Sequence, residues 1–138
     1  MRTLRAMLRL SGADRRLLVE ACVAVVAVRI GLHTVEIGKL RRWAARGGVG
    51  SAPVARIVWA TGAVCRRVPG ATCLVYSLAL QRLLSRHGQA SELHIGVAKR
   101  DGEFAAHAWI VCAGRRFDGE GGDDAYVRLI AWRTADSD

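Results

Sequence analysis

The stretch PGATCLVYSLALQRLL, Pro69 to Leu84, marks where loop gives way to helix and where a reactive group stands. Pro69 and Gly70 interrupt whatever precedes them, and Thr72 is a good N-cap residue. The spacing predicts a helix from Cys73 to about Arg86, with Gly88 as its stop. A cysteine therefore falls in the first turn of a helix. There the orphan backbone N–H groups and the positive end of the helix dipole stabilise a thiolate. The N–H of Cys73 is also placed to donate to an oxyanion formed on a carbonyl that the same sulfur attacks. A free cysteine is often no more than a small buried apolar residue, so position alone does not make Cys73 a nucleophile. It needs a base.

Upstream of this stretch the pattern is helical. Ser11 or Asp14 can cap a helix over about Arg15–Ile30 that is apolar nearly all round, and a second helical piece covers Thr34–Ala45. RGGVGSAP, Arg46 to Pro53, reads as a linker, and a third helix follows over Val54–Arg67. Downstream of Gly88 the period changes. Leu93, Ile95 and Val97 alternate as in a half-buried strand, and Asp101-Gly102 is a hairpin turn. Phe104–Cys112 is a second strand, Arg116–Glu120 a short third one, and Ala125–Trp132 a fourth strand or a closing helix. Helices first and an antiparallel meander after them make an α+β protein. The chain divides into an N-terminal helical segment, 1–50, packed on or docking beside a core of residues 51–138.

Four histidines are available as a base. His33 lies in the N-terminal helices. His87, at the far end of the cysteine's own helix, is about 20 Å from it at 1.5 Å per residue and suits the helix C-terminus. His94 and His107 both fall on strands. His107, in AAHAW, is flanked by small residues and shares its face with Ala105, Trp109 and Val111. If Ala113-Gly114 is a two-residue turn, Trp109 faces Asp118 and His107 faces Glu120, which puts both carboxylates on the histidine's face. A three-residue turn sends both to the other face. The sequence thus permits a Cys73–His107–Asp118 triad, with Glu120 as rival orienter of the imidazole.

Composition narrows the classes. In 138 residues the net charge is +9, carried almost wholly by arginine. That charge suits an anionic partner, but the basic residues run along the whole chain without interleaved aromatics, so nucleic acid is not expected. The spacing of Cys22, Cys65, Cys73 and Cys112 fits no metal-ligand pattern, and no metal or cofactor is expected. Glu20 and Arg29 interrupt the apolar run, and no cleavage site for a signal peptide follows it. The uninterrupted piece, Ala21–Val28, is too short to span a bilayer. This reads as a cytoplasmic protein with reduced thiols. Membrane contact by the first helix stays open at this level.

ATCLVYSLALQRLL, then LHIGV, then AAHAWIVCAGRRFDG resembles the transglutaminase-like cysteine peptidases of lasso-peptide biosynthesis, leader peptidases similar to the C-terminal domain of a microcin maturation protease. The resemblance covers about residues 54–133 and extends to the apolar N-terminal helix. It implies a papain/transglutaminase-like fold, Cys73 as nucleophile, His107 as base and Asp118 as the acidic member. A Glu common soon after H-A-W is absent here, where Val111 and Cys112 stand. The implied activity is removal of the leader from a ribosomally made precursor. A transglutaminase-like acyltransferase or amidase with the same triad is the alternative. The implied partners are the precursor leader peptide, a separate leader-recognition protein and, as a further candidate, the lasso cyclase. The apolar surface around Val19–Val28 is the expected docking face for the recognition protein or the cyclase, with Val25 as the position to test it.

Overall fold

The computed structural model describes residues 5, 8–100, 102–118 and 127–133. Four helices precede four strands among them: α1 Gly12–Thr34, α2 Ile37–Ala44, α3 Val54–Cys65, α4 Cys73–Arg86, β1 Glu92–Arg100, β2 Glu103–Cys112, β3 Arg115–Phe117 and β4 Val127–Arg133. The strands form one antiparallel sheet in the order β3-β2-β1-β4. The α+β expectation holds, and the last segment is a strand rather than a helix. Gly102 turns the first hairpin at φ 82. Its expected partner Asp101 lies outside the described residues, as do residues 119–126, Glu120 among them.

The first helix is longer than its periodicity predicts. Ser11 caps it by accepting from the Asp14 N–H at 3.1 Å, and it continues to Thr34. At 23 residues, with a mean hydropathy of 1.8 over its best window, it is long and apolar enough to cross a membrane by length and composition. This corrects the judgement drawn from Ala21–Val28 alone. In the fold the helix lies against α3 and α4. Leu17, Ala21, Ala24, Val25 and Val28 enter the same core as Ile57 and Ala60 of α3 and Leu78, Leu80, Leu83 and Leu84 of α4. Small alanines suit close packing between helices, and burial of these apolar side chains favours the fold. The sheet adds Leu93, Ala108, Ile110 and Cys112 to this core.

Arg46–Pro53 is not a free tether. The Gly50 N–H donates to the Arg86 carbonyl at 3.0 Å, and the Ala52 N–H donates to His87 Nδ1 at 3.1 Å. Because Nδ1 accepts, Nε2 carries the ring proton and donates to Glu20 Oε2 at 2.8 Å. One imidazole thus ties α1, the glycine-rich segment and the end of α4 together. A Cβ at Gly50 would collide with that ring, which explains a glycine there.

Candidate active site

At the head of α4, Thr72 takes the extended conformation of an N-cap (φ −78, ψ 173), and its hydroxyl accepts from the Val75 N–H at 3.3 Å. Gly70 turns the chain into this cap at φ 78. The cap puts Cys73 at the first helical position, half-buried, as the sequence requires. Cys73 lines a cavity of about 260 Å³ with Gly62, Cys65, Arg66, Ala71, Thr72 and Tyr76. Two of these side chains resist ionisation. Burial pushes the Cys65 thiol up to about 11 against the nearby Arg66 charge. Burial, then Cys65, then Asp118 push the Tyr76 phenol up to about 12. Asp118 therefore acts electrostatically on the first turn of α4, one turn from the thiol. A larger groove of about 1090 Å³ lies at the other end of α4, among α1, the glycine-rich segment and His87, away from the cysteine.

The histidine comes from β2. Ala108, Ile110 and Cys112 of this strand point into the core, and His107 and Trp109 alternate to the other face. Both faces are covered, since His107 and Trp109 are also buried. The turn into β3 is the two-residue one. Cys112 pairs with Arg115, Val111 with Arg116 and Ile110 with Phe117. Ala113 and Gly114 carry φ values of 51 and 76, the mirror-image turn whose twist matches a hairpin. One residue beyond the ladder, Asp118 lies diagonally from His107 on the same face. His107 Nε2–H donates to Asp118 Oδ1 at 2.9 Å. An ionised carboxylate can only accept, so this bond sets the tautomer and leaves proton exchange with a substrate or thiol to Nδ1.

Sequence reasoning did not find what holds the carboxylate. Arg116 Nε donates to Asp118 Oδ2 at 2.8 Å, and its guanidinium lies 4.3 Å from the Trp109 ring centre. Trp109 in turn stacks on His107, with ring centres 6.0 Å apart and planes at 24°. Arg116, Trp109, His107 and Asp118 thus form a closed loop of contacts. The alternation from His107 through Trp109, carried across the turn to Arg116, was the available signal. A second histidine–carboxylate pair also went unread. His94 faces Trp109 across the strands, and its Nε2–H donates to Glu92 Oε2 at 2.9 Å. The structure brings His107 and Asp118 together. The Cys73 sulfur has no hydrogen-bond partner among the described residues. Among the described residues the imidazole–carboxylate pair stands on β2 and the residue after β3, and the thiol stands at the head of α4.

A family model described as the transglutaminase-like superfamily matches residues 17–131, from the first core residue of α1 into β4. No curated protein and no solved structure matches the chain.

Proposed function

The chain belongs to the transglutaminase-like superfamily, and from that premise we propose that it is a cysteine endopeptidase that removes the leader from a lasso-peptide precursor. Membership points to cysteine-peptidase-like or acyltransferase-like chemistry. The observation that supports the thiol chemistry is the buried His107–Asp118 hydrogen bond, two elements on from a capped helix headed by Cys73, and the sequence resemblance supports a peptide leader as the substrate. A solvent-shielded imidazole with its tautomer set by a carboxylate is what a thiol nucleophile requires of its base.

In this reading the Cys73 proton passes to His107 Nδ1, and the sulfur attacks the carbonyl carbon at the leader–core junction. Asp118 stabilises the imidazolium that results. The tetrahedral oxyanion accepts from the Cys73 N–H at the helix start. His107 returns its proton to the departing amine as the C–N bond breaks, which leaves the leader as a thioester on Cys73. Water, deprotonated by His107, then hydrolyses the thioester and releases the leader carboxylate. Nucleophile–base contacts are commonly long without substrate and shorten when it binds. The 260 Å³ cavity beside Cys73 is suited to one substrate side chain next to the scissile bond.

The enzyme works in the cytoplasm, where its four free thiols stay reduced. A separate leader-recognition protein presents the precursor to it, and the chain's +9 charge favours an acidic leader. The test is mass spectrometry of a candidate precursor incubated with the recognition protein and either wild-type chain or Cys73→Ala. Two fragments that appear only with the wild type support the reading. Loss of ammonia without cleavage identifies an acyltransferase or amidase instead, and cleavage by Cys73→Ala refutes the thiol mechanism.

A further inference from the structure

The exposed side of α1 has no place in the site described above. Val25, expected on the docking face, is fully buried, and Ala21, Ala24 and Val28 are buried with it. What α1 leaves in solvent is a different stripe, Val19, Val23, Val26 and Ile30, at 62%, 63%, 48% and 58% exposure. These residues recur every three or four positions and so lie in one line along the helix. Near the C-terminal end the stripe opens into a shallow groove where Val26 and Ile30 meet Arg29 and His33. A second groove joins Ile30 to Val35, itself exposed, and Lys39.

The charged side chains exposed on α1 itself are all basic, and Glu36, just past its end, is an exposed carboxylate nearby. Arg15 and Arg16 stand exposed at one end of the helix and Arg29 and His33 at the other. The helix's two carboxylates are turned inward. Asp14 is paired with Arg56 at 2.7 Å, and Glu20 with His87 at 2.8 Å and Arg86 at 3.3 Å. No exposed position of α1 carries a carboxylate. We propose that this face of α1 lies in the headgroup region of an anionic lipid bilayer, with the valine–isoleucine stripe against the acyl boundary and the arginines on lipid phosphates.

Three observations favour a lipid surface over a protein partner or a spanning helix. The stripe is aliphatic throughout and lacks the aromatic anchors on which protein interfaces concentrate their energy. Apolar residues flanked by arginines at both ends of the helix match the charge that an anionic headgroup layer attracts. Spanning would pull Glu20 from His87 and Leu17, Ala24 and Val28 from the core, so the folded enzyme can offer only one side of α1.

The test is flotation of the full chain with vesicles of about one-third phosphatidylglycerol in phosphatidylcholine, beside pure phosphatidylcholine. The expected result is binding to the anionic vesicles, weak binding to neutral ones, and release by about 0.5 M salt or by alkaline carbonate. Val23→Glu/Val26→Glu should weaken partitioning about tenfold or more, because it replaces buried methyls with charge at the acyl boundary. Arg15→Gln/Arg29→Gln should weaken it about fivefold for each charge removed and gives an independent reading if the first variant misfolds. The valine variant should keep the wild-type peptidase rate on a soluble precursor. No flotation on anionic vesicles overturns the proposal. So does binding that neither variant weakens, or resistance to carbonate extraction, which marks a spanning helix. Self-association lost in the valine variant without any vesicle binding makes the stripe a protein contact and also overturns it.

Discussion

Asp118→Ala tests the site at its most constrained atom. The carboxylate accepts from His107 Nε2 at 2.9 Å and from Arg116 Nε at 2.8 Å, and the His107 side chain is only 6% exposed. Truncation leaves the imidazole N–H without its acceptor in a place water reaches poorly. A hydrogen bond to a charged group is worth about 1.5–3 kcal/mol net. The imidazole becomes charged as the thiol proton moves to it, so that worth is expressed mainly in the transition state. Asp118→Ala should therefore lower kcat about 10- to 150-fold. KM should stay within about twofold, because Asp118 touches the histidine and not the substrate. Asp118→Asn keeps an acceptor oxygen for Nε2 and should recover part of the loss when the amide presents that oxygen. The assay is cleavage of the precursor followed by mass spectrometry over a substrate range, with thermal melts to show the variants fold. An Asp118→Ala enzyme with kcat within about twofold of wild type would refute the orienting role. If Glu120→Ala is the more damaging change, the turn register stands and the orienter is Glu120.

His107→Ala should abolish measurable cleavage and His94→Ala should cost less than about tenfold, because His107 is buried with a carboxylate that Arg116 also holds, whereas the Glu92 partner of His94 is a third exposed; the reverse ranking in single-turnover assays would move the base to the His94–Glu92 pair. Thr72→Ala should destabilise the fold by about 1 kcal/mol in urea and lower cleavage further than that loss explains, since the cap positions Cys73. Stability should fall as pH rises from about 9 toward 11, because the unfolded chain releases the Cys65 proton near 9.0 while the folded chain holds it to about 11. Cys65→Ser should flatten that fall in a pH series of chemical denaturation, and an unchanged slope would show that Cys65 is not its source.

Some of this was legible in residues close together in the chain. Thr72 before Cys73 caps a helix wherever that helix packs, because the hydroxyl and the N–H it accepts from are three residues apart. Ala113-Gly114 places Asp118 on the face of His107 because side chains alternate with period two on each side of a short turn. Other features belong to tertiary structure alone. A helix apolar nearly all round has no face that its own sequence marks clearly as inner, so packing against α3 and α4 decided that Val25 is core and Val23 surface. His87 looks like a helix-end cation until Glu20, 67 residues away, meets its ring and Ala52 takes the other nitrogen. Arg116 became the clamp on Asp118 only when Trp109 lay beneath its guanidinium. Periodicity records which side of an element a residue occupies. It holds no record of which distant element that side will meet, and these contacts depend on how helices and sheet pack in space.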